Sequence, residues 1–326
     1  MRFSALVVVA GVVASLAAQS GPYPEPGEPD PSLSAGCTQI EDGYRCLYGP
    51  YLVEGGESKE VFDYVAAPNE TGYITGAGAT LVDESGRVVN RHAVHLHHAV
   101  WVNFSKQDLI CGTGLLSADR FFGTGKERTQ LRLPDGYGYY WDNQPGPSMD
   151  HSGWGFTAHL DGMHEDHDMN VFVELTLDFD PAEEGALTDV VPVWLDVREC
   201  STDPVYDVPR ADARVHRRSV SITMPREGRF FALAGHLHDG GKKLVLSNST
   251  TGEEVFTSRA VYSKRHRWDL RRMTSMSSEE GIAVAAGDEL KLTSVYSTRH
   301  KMPCGSGPCA WNDVMGIMLG ALVPNN

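Results

Sequence analysis

Several things are missing from this 326-residue chain, and each absence removes a class of function. There is no G-x-S-x-G elbow, no P-loop and no G-x-G-x-x-G fingerprint, so serine nucleophile chemistry and nucleotide binding find no support. No C-x-x-C pair exists, which argues against a zinc ribbon. Helical periodicity over eleven or more residues is nearly absent. Positive charge is scarce: 28 Lys and Arg against 43 Asp and Glu leave a formal net charge of −15. A phosphate backbone attracts basic surfaces, so no nucleic-acid partner is expected.

Long apolar runs are also lacking, with one short exception. Ala5 to Ala14 follows Arg2 and precedes the small residues Ser15-Leu16-Ala17-Ala18. The run is too short to span a bilayer and reads as a signal peptide over residues 1–18, with a retained anchor as the alternative. No later stretch reaches membrane length, so a secreted protein with no membrane partner is expected. Residues 19–36 are rich in proline, glycine and acid and form a disordered leader.

Six cysteines are present, an even number that favours three disulfides in an exported protein. Cys37–Cys46 and Cys304–Cys309 are plausible local pairs, which leaves Cys111–Cys200, although six cysteines allow about fifteen connectivities. Asn69-Glu70-Thr71, Asn103-Phe104-Ser105 and Asn248-Ser249-Thr250 are glycosylation sequons that matter only in a eukaryotic secretory pathway.

What is present is strand. Short segments rich in β-branched, aromatic or alternating apolar residues recur between turn signals, among them His95–Val102, Val171–Leu177, Val191–Val197, Arg229–His238, Glu289–Tyr296 and Met315–Val323. The expected fold class is all-β, with two tandem jelly-roll-like β-sandwich domains. The polar, proline-bearing stretch Thr202 to Arg214 marks a boundary, giving domains at 37–201 and 202–326. Pro145 to Asp168, rich in glycine, histidine and acid, reads as a long loop.

Histidine is the unusual residue. Of thirteen, six lie in two short apolar runs: His92, His95, His97 and His98, then His236 and His238 in Gly235-His236-Leu237-His238-Asp239-Gly240-Gly241. Residues i and i+2 of a strand share a face, so His236 and His238 present two imidazoles side by side, as a metal requires. Met315 in a C-terminal apolar strand is a candidate third ligand if the two strands are neighbours. Two imidazoles and a thioether suit copper, Cu(I) above all. The alternatives are an exposed polar strand face for the histidines and ordinary core filling for the methionine.

His95 and His97 share a face. His97 and His98 would point oppositely in a regular strand and reach one ion only at a strand end or bulge; the alternative is one or two core histidines with satisfied ring nitrogens. His151, His159, His164 and His167 could supply a further ligand. His164-Glu165-Asp166-His167 has histidines three apart where a zinc-protease helix needs four, and a solvated acidic loop accounts for it as well.

The double histidine before tryptophan (His97-His98-Ala99-Val100-Trp101), the glycine-flanked His236-Leu237-His238 and the terminal Val314-Met315-Gly316 resemble, in order and spacing, the stress up-regulated Nod 19 family. That family is distantly similar to the ascorbate-dependent type II copper monooxygenases, such as the peptidylglycine α-hydroxylating enzymes. The resemblance covers Cys37 to Val323. It implies an oxygen-activating copper at His236, His238 and Met315 and an electron-storing copper at His97 and His98, hence one copper ion with room for a second. It also implies a third histidine in the strand Val171–Leu177, which has none. Either a loop histidine such as His164 substitutes, or the first site is weakened or lost. Ala234 stands where the peptidylglycine enzymes place a carboxylate-binding arginine, and a methyl group cannot pair a carboxylate.

Three functions follow: a copper-dependent monooxygenase acting on an unidentified small-molecule or peptide substrate, a non-catalytic secreted copper-binding or stress-related protein, and a glycosylated recognition module. A monomer is expected. Three imidazoles around one point would favour the first.

Overall fold

The structure is a computed structural model that describes residues 28–112, 117–144, 153–201, 204–208, 215–265, 269–297 and 314–325. Among them there is no helix, and therefore none long and apolar enough to cross a membrane. The first eleven strands are β1 (Gly36–Ile40), β2 (Gly43–Val53), β3 (Ser58–Val65), β4 (Gly72–Asp83), β5 (Val94–Gln107), β6 (Ala118–Gly125), β7 (Gln130–Arg132), β8 (Tyr137–Trp141), β9 (Trp154–Gly162), β10 (Met169–Asp180) and β11 (Thr188–Asp189). The remaining nine are β12 (Val191–Asp196), β13 (His216–Thr223), β14 (Gly228–Leu237), β15 (Gly241–Asn248), β16 (Glu253–Tyr262), β17 (Leu270–Met273), β18 (Ser275–Val284), β19 (Glu289–Tyr296) and β20 (Gly316–Pro324).

Sheet order shows two copies of one topology. In the first unit β2-β10-β4-β8 faces β3-β9-β5-β6; in the second β12-β20-β14-β18 faces β13-β19-β15-β16. Counting the eight strands of each unit in chain order, both pair as first-eighth-third-sixth and second-seventh-fourth-fifth, which is the double Greek key of a jelly roll. Alternation supplies the cores. Cys46, Ile74, Leu175 and Leu177 meet Trp101, Phe156 and Leu160 in the first unit, and Leu195, Leu233, Leu237 and Met318 meet Leu244, Leu246, Leu290 and Leu292 in the second.

Two sequence expectations change. The stretch Pro145 to Asp168 is not one loop, because it contains β9. Trp154, Phe156, Ala158 and Leu160 alternate into the core and are at most 1% exposed, a period-two signal hidden under the glycine and histidine content. β12, which precedes the break expected at residue 202, pairs with β20 of the second unit. The polar stretch from 202 thus follows the first strand of the second roll, since composition reports solvent exposure and not strand pairing.

The units meet through β5, β6 and β7 on one side and β12, β14 and β20 on the other. The Arg120 guanidinium lies 4.7 Å from the Trp194 ring centroid, and Phe122, Ala234 and Leu319 line a small apolar gap between them. Disulfide Cys111–Cys200 crosses this seam, and Cys37–Cys46 closes the β1–β2 hairpin. Cys304 and Cys309 lie outside the described residues. Of the sequons, Asn103 and Asn248 are buried, with their amide nitrogens donated to Tyr139 Oη and Asp288 Oδ2; Asn69 is exposed.

Candidate metal centre

The two histidine runs converge at the seam. Along β5 and β9, Leu96 pairs with Leu160 and His98 with His159, so the register slips by one residue at His97. This β-bulge removes the alternation that would send neighbouring side chains to opposite faces. His97 and His98 therefore both stand toward β14, with ring centroids 5.5 Å apart.

On β14, Leu233 and Leu237 enter the core while His236 faces the first unit. Gly240, at φ +90°, turns the chain directly after His238 and Asp239, a conformation glycine adopts without steric cost. Two tyrosines fix this turn. The His238 backbone N–H donates to Tyr296 Oη (3.0 Å), and the Gly240 N–H donates to Tyr262 Oη (3.1 Å).

The result is a knot of imidazoles. His97 and His238 ring centroids lie 4.2 Å apart, His97 and His159 4.5 Å, His236 and His238 5.1 Å, and His95 and His97 5.9 Å. One nitrogen each of His97, His98 and His238 lie within 4.8 Å of one another, as do donor atoms of His97, His159 and Asp161. His98 Nδ1 and His236 Nε2 are buried without a hydrogen-bond partner. Burial pushes the His97 imidazole down to about 4 and those of His95 and His98 below the usual histidine range. The rings are therefore neutral near pH 7 and keep lone pairs to share. Buried imidazoles with unpartnered nitrogens, drawn from both units, fit a transition metal, and an all-nitrogen set of this kind suits copper or zinc.

Carboxylates hold the rings from behind. His236 Nδ1 lies 2.7 Å from Oε1 of Glu127, whose side chain is fully buried. His159 Nε2 lies 3.1 Å from Asp161 Oδ1, which also accepts from Ser58 Oγ at 2.7 Å. Burial works against the Asp161 charge, yet the His159 hydrogen bond and the neighbouring imidazoles keep its carboxyl well below the usual range. Lys126 Nζ reaches Asp239 Oδ2 at 2.6 Å, so an ion pair beside the Glu127–His236 hydrogen bond laces the end of β6 to the end of β14. At Gly125 a Cβ would come within 2.7 Å of His236 Cε1 and 2.6 Å of the His97 carbonyl, so close approach requires glycine there.

The other expected residues fall as follows. Met315 is 2% exposed and packs with Cys111, Trp194 and Ile317. Its carbonyl accepts from the same Tyr296 hydroxyl that receives the His238 N–H, so Met315 and His238 are adjacent at the ends of their strands. His164 lies between β9 and β10, outside both metal-capable groups. His92 is also outside them, and His151 lies outside the described residues. Sequence reasoning missed Glu127 and Asp161. Asp161 was legible as the i+2 neighbour of His159 in an alternating strand, whereas nothing local to Glu127 announces its partner 109 residues away.

Comparison with known proteins agrees with this chemistry. The chain is 28% identical over 258 residues to the probable copper-dependent oxygenase M1 of Phoma sp., covering 77% of this chain and 63% of that protein. It is 29% identical over 236 residues to the probable copper-dependent oxygenase clz3 of Cochliobolus lunatus, covering 70% of this chain and 72% of that one. The match therefore spans less than two thirds of the Phoma protein. No family model matches the chain. Solved structures of PNGF-II and the STIV MCP align with TM-scores of 0.35 and 0.33 at 10% and 8% identity, too slight a likeness to carry an argument. The chain is thus distantly related to proteins named as copper-dependent oxygenases.

Proposed function

We propose that this chain is an exported copper-dependent oxygenase whose metal sits between the two jelly rolls. The observation that carries the reading is the meeting of His97, His98 and His238 within 4.8 Å across the seam. His236 and Met315 complete the donor set from the second unit, in keeping with the resemblance to the type II copper monooxygenases and the Nod 19 family. Copper held there would supply one-electron chemistry with dioxygen.

The chain's own residues do the rest. The bulge at His97 aims two adjacent imidazoles one way. Glu127 takes the Nδ1 proton of His236 as a hydrogen bond and leaves Nε2 bare. Burial of the rings keeps water from competing for their lone pairs. Ala234, where the resemblance places a carboxylate-binding arginine, offers no cation to a substrate carboxylate. The substrate proposed is therefore a C–H donor that is not anchored by a carboxylate at that position. The N-terminal signal pattern and the two disulfides support export.

Copper titration with ascorbate-driven oxygen uptake tests this. Uptake that needs bound copper and disappears in His238→Ala supports the oxygenase. Tight copper binding without uptake would favour the non-catalytic copper protein.

A further inference from the structure

We infer that Arg91, Arg128 and Arg271, with Lys126, form an anion-binding site on the rim of the candidate metal centre, and that it takes the oxyanion of a small molecule, a carboxylate, phosphate or sulfate. The site stands on its own residues; that the oxyanion belongs to an oxygenase substrate rests on the function proposed above.

Charge is out of balance at this corner. The whole chain carries −15, yet residues 264–272 hold five Lys and Arg against one Asp. In the fold, these four cations share two carboxylates. Fully buried Asp269 has Arg271 Nε at 3.0 Å from Oδ2, and Lys126 Nζ and Arg91 Nη1 at 3.9 and 4.0 Å from Oδ1. Asp239 takes Lys126 Nζ at 2.6 Å and accepts the Leu270 N–H at 3.1 Å. Half-buried Arg128 pairs with no carboxylate among the described residues; its guanidinium donates to the Val89 carbonyl at 3.4 Å. Glu127 beside it turns instead to His236 and Thr129.

The guanidiniums also feel one another. Burial first, then the Arg271 and Arg128 charges, holds Arg91 below the ordinary arginine value, and burial with the Arg271 charge does the same to Arg128. Cations held out of water and against each other are costly until an anion enters. Guanidinium forks match the paired oxygens of a carboxylate, phosphate or sulfate, hence the ligand class. Arg91, Lys126 and Arg128 come from the segments before β5 and after β6, and Arg271 from β17, so a bound oxyanion joins the two units. Asp239 directly follows His238, which sets the site beside the histidines.

The test titrates the metal-free full chain by calorimetry with succinate, inorganic phosphate and sulfate, at constant ionic strength made up with chloride. At least one should bind. Arg128→Gln and Arg271→Gln should each raise its Kd about 10–100-fold. Arg132→Gln, on β7 and paired with Asp178, should leave it unchanged. Tighter succinate assigns the site to a carboxylate, and tighter phosphate or sulfate to a tetrahedral anion. Without oxyanion, urea denaturation should find Arg128→Gln no less stable than wild type, because the substitution relieves repulsion, whereas a purely structural arginine would lose stability. Failure of all three anions to bind, unchanged affinity in both arginine variants, or a destabilised Arg128→Gln overturns the assignment. Oxyanion binding in a chain that takes up no oxygen with copper would instead sink the proposed function and leave the anion site standing.

Discussion

His236 Nδ1 lies 2.7 Å from Oε1 of Glu127, a contact between the two jelly rolls across 109 residues of chain. The carboxylate side chain is fully buried, and its other oxygen has no hydrogen-bond partner. Such a pair joins the fold to the candidate site, because breaking it both strands a buried group and frees an imidazole.

Removing the acceptor should therefore cost more than removing the charge. Glu127→Ala leaves the His236 Nδ1–H buried and unpaired, a loss of about 1–3 kcal/mol before any cavity cost. Glu127→Gln keeps an oxygen in reach and should lose less. Urea denaturation of the metal-free proteins checks the order; equal stabilities for the two variants would show that the contact holds nothing.

The thioether can be separated from the packing. Met315→Leu conserves volume in the cluster with Trp194 and Ile317, so it should cost less than about 1.5 kcal/mol. As a soft ligand, its loss should weaken Cu(I) more than Cu(II). Unchanged Cu(I) affinity would assign Met315 to the core alone.

Copper should act as a staple between the units. Its proposed ligands come from both, so it binds the folded state and stabilises it by about 4 kcal/mol at a thousandfold excess over Kd. Thermal unfolding with and without copper should show the rise in Tm in wild type, and its loss in His238→Ala. A copper-induced rise that survives this substitution would place the ion within one unit.

Away from the metal centre, Asp119 offers a pH test. Burial raises its carboxyl to about 7, with the nearby Asp108 charge adding to the effect and the Tyr139 hydrogen bond opposing it. Between about pH 4 and 7 the folded chain holds a proton there that the unfolded chain has released. Its contribution to stability is full below the unfolded value near 4 and is lost as pH rises through 7, at about 1.4 kcal/mol per pH unit. Asp119→Asn should flatten that part of the stability profile, and an unaltered slope would mean that Asp119 is ionised throughout.

Much of this was legible in the sequence because strands and histidine pairs are local. The i, i+2 spacing of His236 and His238 and the glycines after them gave both the shared face and the turn. The His97-His98 doublet posed a definite alternative, strand end or bulge, and the bulge is what the register shows. Pairings between distant segments were not legible. β12 joins β20 across more than 120 residues, and Glu127 meets His236 only because the fold stacks one sheet on another. The two expected copper sites were read apart because their histidines are far apart in sequence; in the structure the His97 and His238 rings are 4.2 Å apart.

The most direct test is X-ray absorption of the copper-loaded protein, wild type against His97→Ala, His98→Ala and His238→Ala. The account predicts copper bound mainly by imidazole nitrogens in wild type, those of His97, His98 and His238 among them, and one fewer, with weaker binding, in each variant. Copper bound equally well and with unchanged coordination in all three variants would contradict it.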